Sequence, residues 1–160
     1  MNNNDNNNTS TSDTITNNIT LNHFNTTFEP KSNQRFIANI ILPNNQSLIP
    51  SYTIKSISLP GLSKENNDWS YKPLYITLYD PITLDIPNQL LINKSEPLSI
   101  TITLLGPVAD IIETWSISNA FITDIDFDHL SLNIDGYNDP NSIIEIKLQI
   151  KYDNCKISKP

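Results

Sequence analysis

The clearest fold signal in this chain is a segment near its C-terminus that alternates between apolar and polar side chains. Between residues 144 and 152 the two sets are Ile144, Ile146, Leu148, Ile150 and Tyr152 against Glu145, Lys147, Gln149 and Lys151. Because successive side chains of a β-strand point to opposite faces, this two-residue period predicts a strand with one buried and one solvated face. A chain that contains such a segment is expected to form a sheet and to present one of its surfaces.

Six further segments are predicted strands, at residues 35–42, 52–59, 74–79, 98–104, 108–118 and 119–127. We expect the first three to form a meander, and residues 63–68 to form a polar loop between two of them. Most of the 11 prolines fall between apolar runs, where they end strands. The only predicted helix is short, at residues 88–93 after Pro87, since proline suits a first helical turn. The predicted fold is mainly β, a sandwich or open barrel with one short helix.

The chain is predicted to contain one domain with two flanking segments. Residues 1–33 are rich in Asn and Thr and poor in apolar residues, so we expect an N-terminal arm. Residues 14–16 and 19–21 can alternatively pair as strands if a neighbouring chain supplies the partner edge. Residues 34–155 form the predicted β domain, and residues 156–160 a C-terminal tail.

Charge and composition exclude several classes of protein. A net charge of −7 disfavours binding to nucleic acid, although it is compatible with a surface past which DNA slides without adhering. No apolar run is long enough to span a bilayer, and no signal-peptide pattern is present, so we expect no membrane insertion. The single cysteine, Cys155, has no partner for a disulfide and is expected to be an exposed thiol.

No constellation of residues predicts catalysis, a cofactor or a metal. Asp124, Asp126 and Asp128 have the spacing of a calcium loop, but His129 occupies the position at which that loop requires glycine. They are better explained as the solvated acidic face of a strand. Asp110 and Glu113 are likewise expected to be solvated carboxylates of a turn. We therefore predict that the protein is not an enzyme.

Aromatic residues offer one alternative function. Trp69, Tyr71, Tyr75 and Tyr79 recur at even spacings, which would place them on one face of a sheet as a platform for stacking sugars. Such a protein would be a β-sandwich module that binds a glycan or a receptor. The competing explanation is that Tyr75 and Tyr79 pack the second side of the sheet.

Taken in order, a series of short motifs resembles the tail tube proteins of contractile-tailed phages. The resemblance covers residues 35–153, and its motifs are SLPG at 58–61, LYITLYDP at 74–81, ITLLGP at 102–107, ETW at 113–115, AFI at 120–122 and KYD at 151–153. It implies a β-sandwich or barrel with a flanking helix, which assembles into six-membered rings that stack as a hollow tube. The inner strands of the six subunits would join into one barrel.

The resemblance also implies a function and a location. The tube would conduct the phage genome during ejection, without binding DNA specifically, and would contact a tail sheath or other tail and baseplate proteins. It would be a virion component assembled in the host cytoplasm. A tube-fold paralogue that starts or ends the tube, and the equivalent tube of a secretion or injection machine, are alternatives.

Two sets of residues acquire hypothetical roles in such a tube. The candidate lumen-facing residues are Asp124, Asp126 and Asp128, whose carboxylates would repel DNA. The candidate ring-stacking loop consists of Ser63, Lys64, Glu65, Asn66, Asn67 and Asp68.

Overall fold

The computed structural model describes residues 30–128, 130 and 143–160. They form eight strands, one α-helix and a short 3-10 helix at Ser51–Thr53. The elements are β1 Phe36–Ile41, β2 Ile54–Ile57, β3 Leu62–Glu65, β4 Asp68–Tyr71, β5 Leu74–Tyr79, α1 Ile86–Asn93, β6 Leu98–Leu105, β7 Ile111–Phe127 and β8 Glu145–Ser158. All but four residues of the predicted arm, 1–33, lie outside the described residues.

Six strands form one antiparallel sheet in the order β1-β6-β7-β8-β5-β2. The sheet is nearly closed into a barrel, and a groove of about 460 Å³ remains between its edge strands β1 and β2. The predicted meander is wrong, because β1 pairs with β6 rather than with β2. The register explains this choice: it places Ala38 opposite Ile102 and Ile40 opposite Ile100, so that apolar side chains from both strands enter the core together.

The interior of the barrel is filled by aliphatic side chains from every strand of the main sheet, and the short edge strand β2 contributes Ile54. The helix α1 adds Ile86 and Leu90, both fully buried, and the loop after β1 adds Leu48 and Ile49. Each fully buried side chain of this size contributes about 1.5–3 kcal/mol of transfer free energy. The core therefore holds the strands together, and α1 is part of it.

The strand β7 is a single element of 17 residues, whereas we expected two strands divided near Asn119. Asn119 adopts a left-handed backbone with φ 54°, and the pairing of β7 with β6 shifts there by one residue. This bulge lets both Ile117 and Ala120 face the core although they are three residues apart. A second shift, between Ile122 and Asp124, occurs in the pairing with β8. The strand is thus bent but not interrupted.

The strand β8 continues to Ser158, so three residues of the predicted C-terminal tail belong to the sheet. Thr114 pairs with Ser158 and Trp115 with Ile157. The alternation that marks this strand to Tyr152 gives way to Asp153 and Asn154, which conceals the continuation in the sequence.

The predicted polar loop at residues 63–68 is a β-hairpin. The strands β3 and β4 pair from Leu62 opposite Tyr71 to Glu65 opposite Asp68, as a separate two-stranded sheet. Asn66 and Asn67 connect them with φ 49° and 71°. Two adjacent positive φ angles are typical of the tight turn that suits the twist of a hairpin, and asparagine tolerates them.

Candidate assembly surfaces

The outward face of the main sheet is polar and carries the predicted aspartates. Asp124 and Asp126 are exposed on β7, opposite Gln149 and Lys147 of β8, while Ile125 between them packs against the core. Asp128 follows the strand, is exposed, and donates its backbone N–H to the carbonyl of Glu145 at 3.2 Å. The structure therefore brings the three residues to one end of β7, as their alternation predicts.

This polar face is not uniformly acidic. Lys147 is the direct cross-strand neighbour of Asp126, and Lys151 is the neighbour of Phe121. Threonines of β6 continue the face on the other side of β7, where Thr101 lies opposite Ser116 and Thr103 opposite Thr114. The surface therefore combines carboxylates, ammonium groups and hydroxyls.

The hairpin β3–β4 projects from the main sheet and presents aromatic side chains. Lys72 donates its backbone N–H to the carbonyl of Gly61 at 2.8 Å, which closes the root of the hairpin. Tyr71 contacts Tyr152 of β8, with ring centroids 4.9 Å apart. Trp69 is 67% exposed. Of the candidate loop residues, Ser63 is partly buried near Ser70, and Lys64, Glu65, Asn66, Asn67 and Asp68 are exposed.

The predicted aromatic platform is divided between two sheets. Trp69 and Tyr71 belong to the hairpin, whereas Tyr75 and Tyr79 belong to β5. Tyr75 is exposed on the polar face, and the Lys55 ammonium lies 5.6 Å from the centre of the Tyr79 ring. The four rings do not form one continuous surface.

Between the root of the hairpin and the strands β7 and β8 lies an apolar cleft of about 310 Å³. We call it the hairpin cleft; its lining residues are Pro60, Gly61, Leu62, Tyr71, Trp115, Cys155 and Ile157. Burial raises the pKa of the Cys155 thiol and also that of the Tyr152 hydroxyl. Cys155 is therefore a partly buried side chain of a cleft, not the exposed thiol that we expected.

A buried carboxylate lies beside this cleft. Glu113 is 4% exposed, and it accepts hydrogen bonds from the Lys31 ammonium and from Nε1 of Trp115, the latter at 2.7 Å. The bond from Lys31 lowers the pKa of Glu113, burial opposes that effect, and the bond from Trp115 adds to it. The prediction of a solvated turn carboxylate is wrong for Glu113, because β7 begins at Ile111 and already places Glu113 in the sheet.

In the part of the chain that the structure describes, no three His, Cys, Asp or Glu side chains are arranged to hold a metal ion. None of the helices among the described residues is long and apolar enough to cross a membrane.

Comparison with solved structures identifies the fold. A chain of the anti-feeding prophage baseplate matches 82% of this chain and 97% of its own length, with 16% identity and a TM-score of 0.55. A chain of the sheath-tube complex of an extracellular contractile injection system, PVC, matches with 84% and 95% coverage, 18% identity and a TM-score of 0.56. Hcp1 from Flavobacterium johnsoniae matches with 78% and 96% coverage, 10% identity and a TM-score of 0.51. The domain has the tail-tube fold.

That finding confirms the resemblance noted in the sequence, and the mainly β architecture predicted from it. No protein-family model and no curated protein sequence matches the chain. The tail-tube fold is thus recognisable here through its strand arrangement, while identity to the three solved chains stays between 10% and 18%.

Sequence reasoning missed the hairpin cleft and the Lys31–Glu113–Trp115 cluster of this tail-tube domain. One signal for the cleft was present, since Cys155 and Ile157 continue an alternation beyond Tyr152 after a one-residue shift. The cluster joins residues 82 positions apart in the sequence, and no local pattern predicts such a contact.

Proposed function

We propose that this chain is a structural subunit of the tube of a contractile particle, and that it works by assembly without catalysis. The observation that carries the proposal is the tail-tube fold, which recurs in chains of the sheath-tube complex and in Hcp1. In its specific form the proposal is a phage tail tube of stacked six-membered rings whose lumen conducts the genome. The alternative form is the tube of an injection particle, which would be built from stacked rings in the same way but would conduct a different cargo.

The edges of the sheet supply a way to form rings. Leu48 donates its backbone N–H to the carbonyl of Ile40 on the outer edge of β1, so the backbone groups of Ala38 and Phe36, two and four residues earlier, point to the same edge. There they border the groove between β1 and β2, and no described residue forms a ladder with them. Unpaired edges of this kind invite strand pairing with another chain. Neighbouring subunits around a ring would supply it.

The polar face of the sheet is the proposed wall of the lumen. A ring that completes the sheet leaves this face continuous from one subunit to the next, because its buried face is already filled by the core. Asp124, Asp126 and Asp128 would then line or rim the channel, with Lys147 moderating their charge. An assembled structure that places these carboxylates on the outside of the tube would refute this assignment.

The ring contact can be tested with one substitution on the edge strand. Ile37 is 47% exposed on β1, so Ile37→Lys adds a charge at the edge without entering the core. We expect six-membered rings of the unmodified protein by native mass spectrometry and negative-stain microscopy, and loss of rings in the variant. Ser99→Lys is the matched control on the interior strand β6. Small monodisperse particles of the unmodified protein, together with its absence from tubes of the native particle, would overturn the proposal.

A second candidate is a tube-fold paralogue that starts or ends the tube. It is favoured by matches to chains in structures of two different parts of the anti-feeding prophage, its baseplate and its tube-terminating cap. The two candidates differ in copy number. Quantitative mass spectrometry of the native particle would find enough copies of a tube subunit for many rings, but enough copies of a paralogue for only one ring.

A further inference from the structure

The hairpin β3–β4 borders a second groove, which is larger than the hairpin cleft and has a different chemical character. It lies between the hairpin, the residues that lead into β5, and β8, and its volume is about 860 Å³. We call it the Trp69 groove; the charged and aromatic residues at its edges are Glu65, Trp69, Tyr71, Lys72, Lys151 and Asp153. The proposed function assigns no role to this groove.

An open aromatic surface forms part of the Trp69 groove. Trp69 is 67% exposed, and the neighbouring Tyr71 is 39% exposed. The ring of Tyr71 packs against that of Tyr152 in β8, which holds this part of the hairpin in place. Large flat rings give contact area with few rotatable bonds, so tryptophan and tyrosine are enriched where proteins bind partners. The groove therefore presents a fixed apolar face beside polar groups.

Hydrogen-bonding groups of both kinds surround this aromatic face. Lys151 and Asp153 are exposed on the same face of β8, two residues and thus about 7 Å apart along the strand. Asn119 donates a side-chain hydrogen bond to the Asp153 carboxylate, which fixes its orientation. The hydroxyls of Ser63 and Ser70 lie 3.3 Å apart. Since an ammonium donates, a carboxylate accepts and a hydroxyl does both, the groove offers donors and acceptors side by side.

The formal charges around the groove cancel. Two basic and two acidic side chains line it, namely Lys72, Lys151, Glu65 and Asp153. The other charged residues of the hairpin, Lys64 and Asp68, cancel as well. A surface without net charge does not attract a polyanion or a polycation. The ligand that fits such a groove is neutral, carries many hydroxyl groups and has an apolar face for the indole.

We propose that the Trp69 groove binds a neutral oligosaccharide, with one sugar ring stacked on Trp69 and its hydroxyls hydrogen-bonded to Lys151 and Asp153. Since a cavity of about 150 Å³ admits a benzene molecule, the groove has room for more than one six-membered sugar ring. Its volume also lies within the range of about 300–1,000 Å³ that is typical of small-molecule sites. The inference goes beyond the proposed function. Each subunit of a ring would carry one groove, so that weak single sites would act together through multivalency.

Tryptophan fluorescence tests the binding, because Trp69 and Trp115 are the only two tryptophans of the chain. In the Trp115→Phe variant the signal comes from Trp69 alone. Maltotetraose, cellotetraose and chitotetraose are titrated to about 10 mM, ten times a dissociation constant of about 1 mM. We expect at least one of them to shift the emission of Trp69 with saturation and to protect the indole from quenching by acrylamide.

Calorimetric titration of the unmodified protein should give the same dissociation constant without any substitution. The two glucose polymers and the N-acetylglucosamine polymer distinguish a glucan from an amino-sugar glycan as the source of the ligand. No saturable change with any of the three, in fluorescence and in calorimetry, would overturn the inference.

Matched substitutions locate the site. Trp69→Ala should weaken binding at least about tenfold, whereas Tyr75→Ala removes an exposed aromatic side chain outside the groove and should leave the affinity unchanged. Lys151→Met should weaken binding on the order of fivefold through the loss of a hydrogen bond. Lys147→Met is its control on the same face of β8, outside the groove. Equal affinities of Trp69→Ala and Tyr75→Ala would refute the site.

A sulfated ligand tests the assignment of a neutral one. We expect a heparin-derived tetrasaccharide to bind more weakly than the neutral probe, and tighter binding would refute the proposed ligand class. Native mass spectrometry of the same samples measures ring formation separately. Rings without oligosaccharide binding would overturn this inference and leave the proposed function standing, and oligosaccharide binding by a protein that forms no rings would support the inference alone.

Discussion

Replacement of Lys31 by methionine should destabilise the domain, because it leaves the buried carboxylate of Glu113 without its cation. Glu113 is 4% exposed, and its two oxygens are bound by the Lys31 ammonium and by Nε1 of Trp115. Methionine matches lysine in length but removes the charge and the donor. The variant would leave a carboxylate in the sheet with only the hydrogen bond from Trp115.

The magnitude follows from the unequal exposure of the two partners. Breaking a fully buried ion pair costs about 3–5 kcal/mol, and breaking an exposed pair costs at most about 1 kcal/mol. The side chain of Glu113 is 6% exposed but that of Lys31 is 50% exposed, so water can partly replace the ammonium. We therefore expect Lys31→Met to lower the free energy of unfolding by about 1–3 kcal/mol.

Urea unfolding of dilute protein at pH 7, followed by circular dichroism, measures this loss. The double variant Lys31→Met/Glu113→Gln is the informative control, because the amide still accepts the bond from Trp115 but carries no charge. It should be more stable than Lys31→Met alone. A double variant that is less stable than the single one, or a single variant that equals the unmodified protein, would refute the reasoning.

The same pair predicts a dependence on pH. The pKa of Glu113 is lower in the folded domain than its ordinary value of 4.5, chiefly because of the hydrogen bond from Lys31. Its contribution to stability is therefore complete above the unfolded pKa and is lost as pH falls through the lower folded pKa. The stability gap between unmodified protein and Lys31→Met should be full at pH 7 and should narrow below pH 4.5. A gap that widens in acid would contradict this linkage.

Two further predictions concern β7 and β8. Asn119 has a φ of 54° and donates a side-chain hydrogen bond to Asp153. Asn119→Ala should therefore lower the free energy of unfolding by about 1–2 kcal/mol, and Asn119→Gly should lower it by less. Urea unfolding measures both losses, and equal losses in the two variants would argue against backbone strain. Burial raises the pKa of Cys155. Iodoacetamide at pH 8 should therefore modify this thiol at least about tenfold more slowly in the folded protein than in the urea-unfolded protein, as measured by mass spectrometry over time. Equal rates would show that the thiol is open to solvent.

Local patterns predicted the short elements that no irregularity interrupts. The strands β5 and β6 and the helix α1 were found at or near their observed bounds, because each is a short run with a proline on at least one side. The sequence did not predict that β7 is continuous, since an asparagine that sustains a left-handed bulge resembles one that ends a strand. The pairing of β1 with β6 was also missed, because it joins segments about 60 residues apart and is decided by the shared core.

The candidate surfaces show the same difference between features that follow from a local pattern and features that depend on contacts between distant segments. Exposure of Asp124 and Asp126 follows from alternation along one strand. The hairpin cleft depends on three separate parts of the chain, namely the hairpin root, β7 and the last residues of β8. Asn66 and Asn67 were a usable signal for the hairpin, since exactly two such residues between alternating segments are typical of its turn.

The most direct test of the account is cryo-electron microscopy of the native particle, with this chain located in the density. We predict stacked six-membered rings of the chain, with the polar face of the sheet toward the lumen. A particle in which the chain is an isolated monomer, or in which its rings make no contact with one another, would contradict the central claim.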